Sequence, residues 1–248
     1  LQQALQQRSG RSALLLQQKL AVGLVDLANP QAPRFAQING HTMLYAASLP
    51  KIVVLLAAVQ GFTDGSLPAT PQNKALLTEM IRESSNPAAA ALIHRLGLSR
   101  IQLLLFHPRY RFYDLRKGGG LWLGSTFSAA GERFPDPLKD LYQAATAFQV
   151  CRYGRLINPQ RSVQMLEVLS HPGLHDKFVS VLERTVPPDR LFRKNGTYGT
   201  THCDSVLVWG GGWRRYILVG LVEDAQGEQI LQDLVPLAER ALRQTPAR

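Results

Sequence analysis

Cysteine is scarce in this chain of 248 residues. Only Cys151 and Cys203 occur, at no spacing that a zinc site uses, so a buried pair of free thiols is the reading they leave, and they do not fix the compartment. Long apolar runs are also missing. A membrane-crossing helix needs about 20 consecutive apolar residues, and no stretch approaches that, so no membrane span is expected. Acidic residues are few, with 18 Asp and Glu against 28 Lys and Arg, for a net charge of +10. That balance invites a nucleic-acid or membrane-surface reading. The basic residues, however, are scattered singly or in pairs (Arg8, Arg11, Arg109, Arg111, Arg214, Arg215) and form neither a basic block nor a nucleic-acid motif, so no nucleic-acid partner is expected. The histidines (His41, His94, His107, His171, His175, His202) include no i, i+4 pair beside an acid. His171 and His175 have a helix spacing, but Pro172 and Gly173 between them favour a turn, so neither a metal nor another cofactor is expected. A starting methionine is absent as well, which suggests a processed or trimmed product whose targeting segment, if any, is missing.

What is present is an ordinary globular composition, 45% hydrophobic and 19% charged, enough for a sizeable core in one domain or two interleaved lobes. The glutamine-rich opening reads as a helix broken near Gly10 and resuming at Ala13. Lys19 to Leu27 and Arg34 to Gly40 read as a strand pair joined by the Asn29-Pro30 turn. From Ser48 to about Ser180 the pattern is mainly helical, including Asp136 to Gly154 and Arg161 to His171. His202 to Asp224 is two apolar runs around a triple-glycine turn, followed by an amphipathic helix from about Gln226 to Arg243. The expected fold is therefore α/β: one antiparallel sheet built from both termini (1–47 and 181–248), flanked by helices and holding an inserted all-helical lobe (48–180). Leu115 to Pro137 has too many glycines and prolines for regular structure and reads as a long loop, functional or mobile.

Within "LYAASLPKIVVLLAA", Ser48 and Lys51 lie three residues apart at an expected helix start, which puts a hydroxyl one turn from an amine and beside free backbone N–H groups. A serine becomes a good nucleophile when a neighbouring base takes its proton, and a lysine acts so only if its pKa is lowered. Alone, the pair also reads as a helix cap followed by a snorkelling lysine. Two further triplets follow in order. Ser84-Ser85-Asn86 stands just before a helix, and Lys194-Asn195-Gly196 opens a strand signal; each alone reads as a turn.

Ser-x-x-Lys, Ser-x-Asn and Lys-x-Gly, in this order, make the sequence resemble the class A β-lactamases and penicillin-binding D-Ala-D-Ala peptidases over most of its length, closest to the class A branch. The resemblance implies a two-lobe fold and a serine hydrolase working through an acyl-enzyme on a β-lactam or related amide or ester. Ser48 would be the nucleophile, Lys51 its base, and Ser84 the relay to the leaving nitrogen. Lys194 would be the second cation that depresses Lys51 by repulsion and draws in a carboxylate. The Ser48 and Thr197 N–H groups would form an oxyanion hole, while Asn86, Asn195, Gly196 and Thr197 would meet the substrate. A periplasmic or secreted location is also implied.

The sequence departs from that pattern in several places. Ser85 replaces the usual aspartate and Asn195 the usual hydroxyl of the carboxylate site. Ser48 and Ser84 are separated by 36 residues, fewer than class A enzymes use. The Glu-x-x-Asn of the deacylating loop is missing, and Asp114 and Glu132 only flank its place. The arginine of the strand after the third motif is absent where Cys203 or a neighbour sits; Arg214 and Arg215 on the next strand are alternatives, though better read as a solvated strand edge. His202-Cys203-Asp204 holds the residue types of a thiol triad, but consecutive strand residues point to opposite faces. A peptidase or esterase-like enzyme, and a non-catalytic binding descendant, are the rival readings.

Overall fold

A computed structural model of the chain describes residues 11–108, 110, 112–114, 119–120, 123, 144–145 and 159–244. A short helix, α1 (Arg11–Leu16), leads into β1 (Leu20–Asp26) and β2 (Arg34–Ile38). A two-residue strand β3 (Leu44–Tyr45) precedes helices α2 (Lys51–Asp64), α3 (Pro71–Arg82), α4 (Asn86–Leu96) and α5 (Leu98–Phe106). Short strands β4 (Tyr113–Asp114), β5 (Gly119–Gly120) and β6 (Ala144–Ala145) are followed by α6 (Pro159–Leu169) and α7 (Lys177–Leu182). The chain closes with β7 (Leu191–Tyr198), β8 (Thr201–Trp209), β9 (Arg215–Glu223) and α8 (Gly227–Arg243).

The sheet is antiparallel throughout, in the order β2-β1-β9-β8-β7, so strands from both ends of the chain meet at the β1–β9 pair. Alternation along each strand makes two cores. Leu20, Val22, Leu24, Val206, Val208, Tyr216 and Leu218 face α7 and α8, whereas Ala21, Val25, Cys203, Leu207, Ile217 and Val219 face the helical segment around α2. α8 docks along an apolar stripe that includes Ile230, Leu231, Leu234, Ala238 and Leu242, all buried. It comes so close at Gly220 that a Cβ there would lie 2.4 Å from Leu231 Cδ2. Burial of each such leucine contributes about 1.5–3 kcal/mol. α2 is different, being apolar on nearly every side and buried as a central helix.

Both expected strand pairs and the C-terminal helix are in place. The long helix expected over 136–154 is overturned at Ala144 and Ala145, which pair as a strand with Tyr45 and Leu44; the rest of that stretch lies outside the described residues. The opening helix is described only from Arg11, and most of the 115–137 loop, with Glu132 and Cys151, also lies outside. Among the described residues no single helix is long and apolar enough to cross a membrane.

Candidate active site

α2 starts at Lys51, not at Ser48. Residues 46–53 form a tight turn whose N–H groups reach carbonyls three residues back (Leu49 to Ala46, Lys51 to Ser48, Ile52 to Leu49), so Ser48 sits on a turn feeding the helix. Pro50, which lacks an N–H, occupies the N-cap position, where that donor is not needed. Ala47, just before Ser48, has a φ of 44°, the left-handed region that a side chain disfavours.

Lys51 is fully buried, and its Nζ donates to Ser48 Oγ at 3.0 Å, to the Ser84 carbonyl at 2.6 Å and to Asn86 Oδ1 at 2.7 Å. Burial lowers its pKa to about 7. The resemblance implies repulsion from Lys194 as the cause of such a shift; in the structure burial is the cause, and the repulsion falls on Lys194 instead. That residue is 1% exposed, and its pKa is lowered by burial first and then by the charges of Lys51 and Arg193.

Ser84 connects the two lysines. At a φ of 56° it turns its carbonyl to Lys51 and its hydroxyl to Lys194 Nζ, 2.8 Å away. Ser85 follows as the N-cap of α4, its hydroxyl accepting from the Ala88 N–H. The unusual serine of the second motif is therefore a helix cap, an assignment the sequence reading missed although Ser before Asn-Pro is a start signal.

The third triplet lies in the middle of β7 and is no hairpin turn. A Cβ on Gly196 would stand 2.6 Å from the Ser48 backbone N and 2.9 Å from the Ala46 carbonyl, both rigid backbone atoms, so the strand passes directly beside the nucleophile turn and only glycine fits. Thr197 is the next residue on β7 and is exposed. Gly196 also pairs with Cys203, whose fully buried thiol donates to the Ala46 carbonyl at 2.9 Å and is pushed up to about 12 by burial. The six residues Ser48, Lys51, Ser84, Asn86, Lys194 and Gly196 thus come together.

Asn195 does not extend that set as expected. It is 5% exposed, its Nδ2 donates to both carboxylate oxygens of Asp176 (3.2 and 3.4 Å), and its Oδ1 accepts from Lys194 Nζ at 3.3 Å. Asp176 is anchored in turn by Lys177 Nζ at 2.6 Å and Arg193 Nη2 at 2.5 Å. Arg193 also grips Asp204 through Nε at 2.8 Å and Nη2 at 2.7 Å. Burial works against the Arg193 charge, but Asp204 and Asp176 outweigh it and raise its pKa. Burial likewise opposes the Asp176 charge, yet Arg193 and Lys177 bring its pKa down to about 2. No spacing rule reveals this network, since its members come from α7, the segment before it, and two strands.

Neither alternative arginine serves the site. Arg215 lies over the Trp209 ring and Arg214 pairs with Glu239 at 2.7 Å, four to five residues along β9 from the position level with Lys194. Cys203 and Asp204 face opposite cores, so the thiol triad does not assemble.

In comparison with solved structures, the β-lactamase of Sphaerobacter thermophilus DSM 20745 superposes with a TM-score of 0.74 at 17% identity, over 96% of this chain and 99% of that one. PBP-A does so at 0.71 and 15%, over 98% and 94%. An ancestral (GNCA) class A β-lactamase gives 0.69 and 19%, over 94% and 99%. At such identities the likeness is one of fold. A sequence search among curated proteins finds no match. A family model described as the beta-lactamase enzyme family matches residues 66–243, a span that starts beyond Lys51 and takes in both later triplets. That match covers most of the chain and agrees with the shared fold: the chain belongs to the β-lactamase enzyme family.

Proposed function

We propose that the protein is a serine hydrolase that forms an acyl-enzyme at Ser48 with a β-lactam or a related amide or ester. The observation that carries this reading is the 3.0 Å contact between Ser48 Oγ and a lysine whose pKa is near 7, so that a neutral amine is available to take the hydroxyl proton. In the acylation step the Ser48 Oγ to carbonyl carbon bond forms and the bond to the leaving nitrogen or oxygen breaks. The Ser48 proton passes to Lys51. Ser84, held by Lys51 through its carbonyl, gives its hydroxyl proton to the leaving atom and takes one back from Lys194 Nζ, which donates to that hydroxyl. The N–H groups of Ser48 and Thr197 hold the developing oxyanion. Asn86 holds the Lys51 ammonium and the substrate amide.

The loop sequence from Asp114 to Glu132 has no Glu-x-x-Asn pattern, which supports slow deacylation. A general base contributes about 10²- to 10⁴-fold, so without one the ester accumulates as a stoichiometric burst followed by slow release. Expected of the family is a periplasmic or exported enzyme, with the sheet of 1–47 and 181–248 and the helical insert of 48–180 framing the site. The test is intact mass after exposure to a panel of β-lactams, activated esters and amides. One acyl group mapped to Ser48, and none on Ser48→Ala, supports the reading. Reversible binding with no adduct from any panel member would identify a binding descendant instead.

A further inference from the structure

The edge of β7 beside the nucleophile is rich in cations, yet it exposes none of them. Lys177, Arg193 and Lys194 are 1%, 4% and 1% exposed. A lysine has three donors, and those of Lys194 have acceptors within the protein, while the Asn195 amide is turned toward Asp176. Lys194 Nζ donates to Ser84 Oγ, Asn195 O and Asn195 Oδ1, and Asn195 Nδ2 donates to the two Asp176 oxygens. The member of this network that does reach solvent is an acid: the Asp176 side chain is 31% exposed. Opposite Gly196 on β8 stands Cys203, buried and uncharged. Within the network Arg193 and Lys177 balance Asp176 and Asp204, so these four residues carry no excess positive charge behind the edge.

We propose that Asp176, acting directly and through Asn195, is a specificity-determining residue that makes this site favour acyl substrates with a neutral or cationic group beside the scissile bond over those with a carboxylate there. This rests on the acyl-enzyme reading above. A substrate carboxylate placed against β7 meets an ionised acid, and the Lys194 amine there already donates to three oxygens of the protein. A carboxamide, an ester or an ammonium finds an acceptor in Asp176. Two unit charges about 4 Å apart at a partly solvated edge interact enough to change a rate about tenfold or more.

The test uses the full chain and a pair of β-lactams with the same ring and side chain, one a free acid and the other its primary carboxamide. Acylation of Ser48 is followed by intact mass, and binding to Ser48→Ala by ligand-observed NMR. The carboxamide is expected to acylate at least about tenfold faster, as kcat/KM, with the ratio collapsing in Asp176→Asn. Asn195→Thr keeps the Asp176 ion pairs and presents a hydroxyl; it too should move the ratio toward the acid, which covers the case of an Asp176→Asn protein that does not fold. A merely structural role would change both rates equally and leave the ratio, which overturns the proposal. So does equal or faster acylation by the free acid in the unaltered protein. Should neither compound acylate, the acyl-enzyme reading fails for this pair, and binding to Ser48→Ala decides the inference: tighter carboxamide supports it, and equal, tighter acid or no binding overturns it.

Discussion

Arg193 and Lys194 are neighbours on one strand, both buried, and the strand sends them to opposite faces. Arg193 meets two carboxylates, Asp176 and Asp204, and its charge is locked in place. Lys194 meets three uncharged oxygens, and with Lys51 and Arg193 nearby its charge is loosened. Burial is shared, so the partners decide the outcome. One face of β7 holds a guanidinium fixed by two carboxylates, while the other holds an amine whose pKa burial and neighbouring charges lower.

The sharpest way to break this contrast is Lys51→Ala. If the loosened face does the chemistry, acylation of Ser48 falls by about 10²- to 10⁴-fold while the melting temperature changes little, as read by stopped-flow quench and intact mass. An unimpaired rate would dismiss the amine as base. Next comes the locked face. Asp204→Asn leaves Arg193 short of one buried carboxylate and should cost about 3–5 kcal/mol in a urea unfolding series. A loss below about 1 kcal/mol would mean that water or a shifted Asp176 takes over.

The third prediction concerns pH. Lys51 titrates at about 7, and its neutral form is the active one, so the sign is fixed: acylation should drop about tenfold per pH unit below 7 and level off above it. A flat profile from pH 5 to 8 would place the proton elsewhere. The smallest effect is that of Ser85→Ala, which removes the α4 cap and should cost about 1 kcal/mol with the Ser48 adduct still formed. Loss of the adduct with an intact melting curve would give Ser85 a part in the chemistry.

The strands and the terminal helix were legible because period-two alternation and the triple-glycine turn are local signals, as were the three triplets. Ser48, Lys51, Ser84, Asn86 and Lys194 could be named from spacing and resemblance. What could not be read was set by residues far apart in the chain. The shift on Lys51 comes from how completely the fold encloses it, which no window of sequence reports. Asn195 looks like a weak copy of a hydroxyl until Asp176, 19 residues earlier, is seen to hold its amide. Asp136 to Gly154 carries helix-like periodicity, yet at Ala144 and Ala145 pairing with β3 wins, a tertiary override of propensity.

Ala47 and Ser84 both hold left-handed backbone, with φ of 44° and 56°, a conformation that costs a residue with a side chain about 1–3 kcal/mol. Glycine at either position would relieve the strain, less about 0.4–1 kcal/mol from the greater freedom of its unfolded chain. Heat tolerance and turnover are therefore opposed at two identifiable residues. A library selected only for survival at high temperature should gather Ala47→Gly and lose reactivity at Ser48, because the turn that aims the hydroxyl would gain other shapes to adopt. A library selected for activity should keep the alanine and accumulate its stabilising changes in the apolar core around α8.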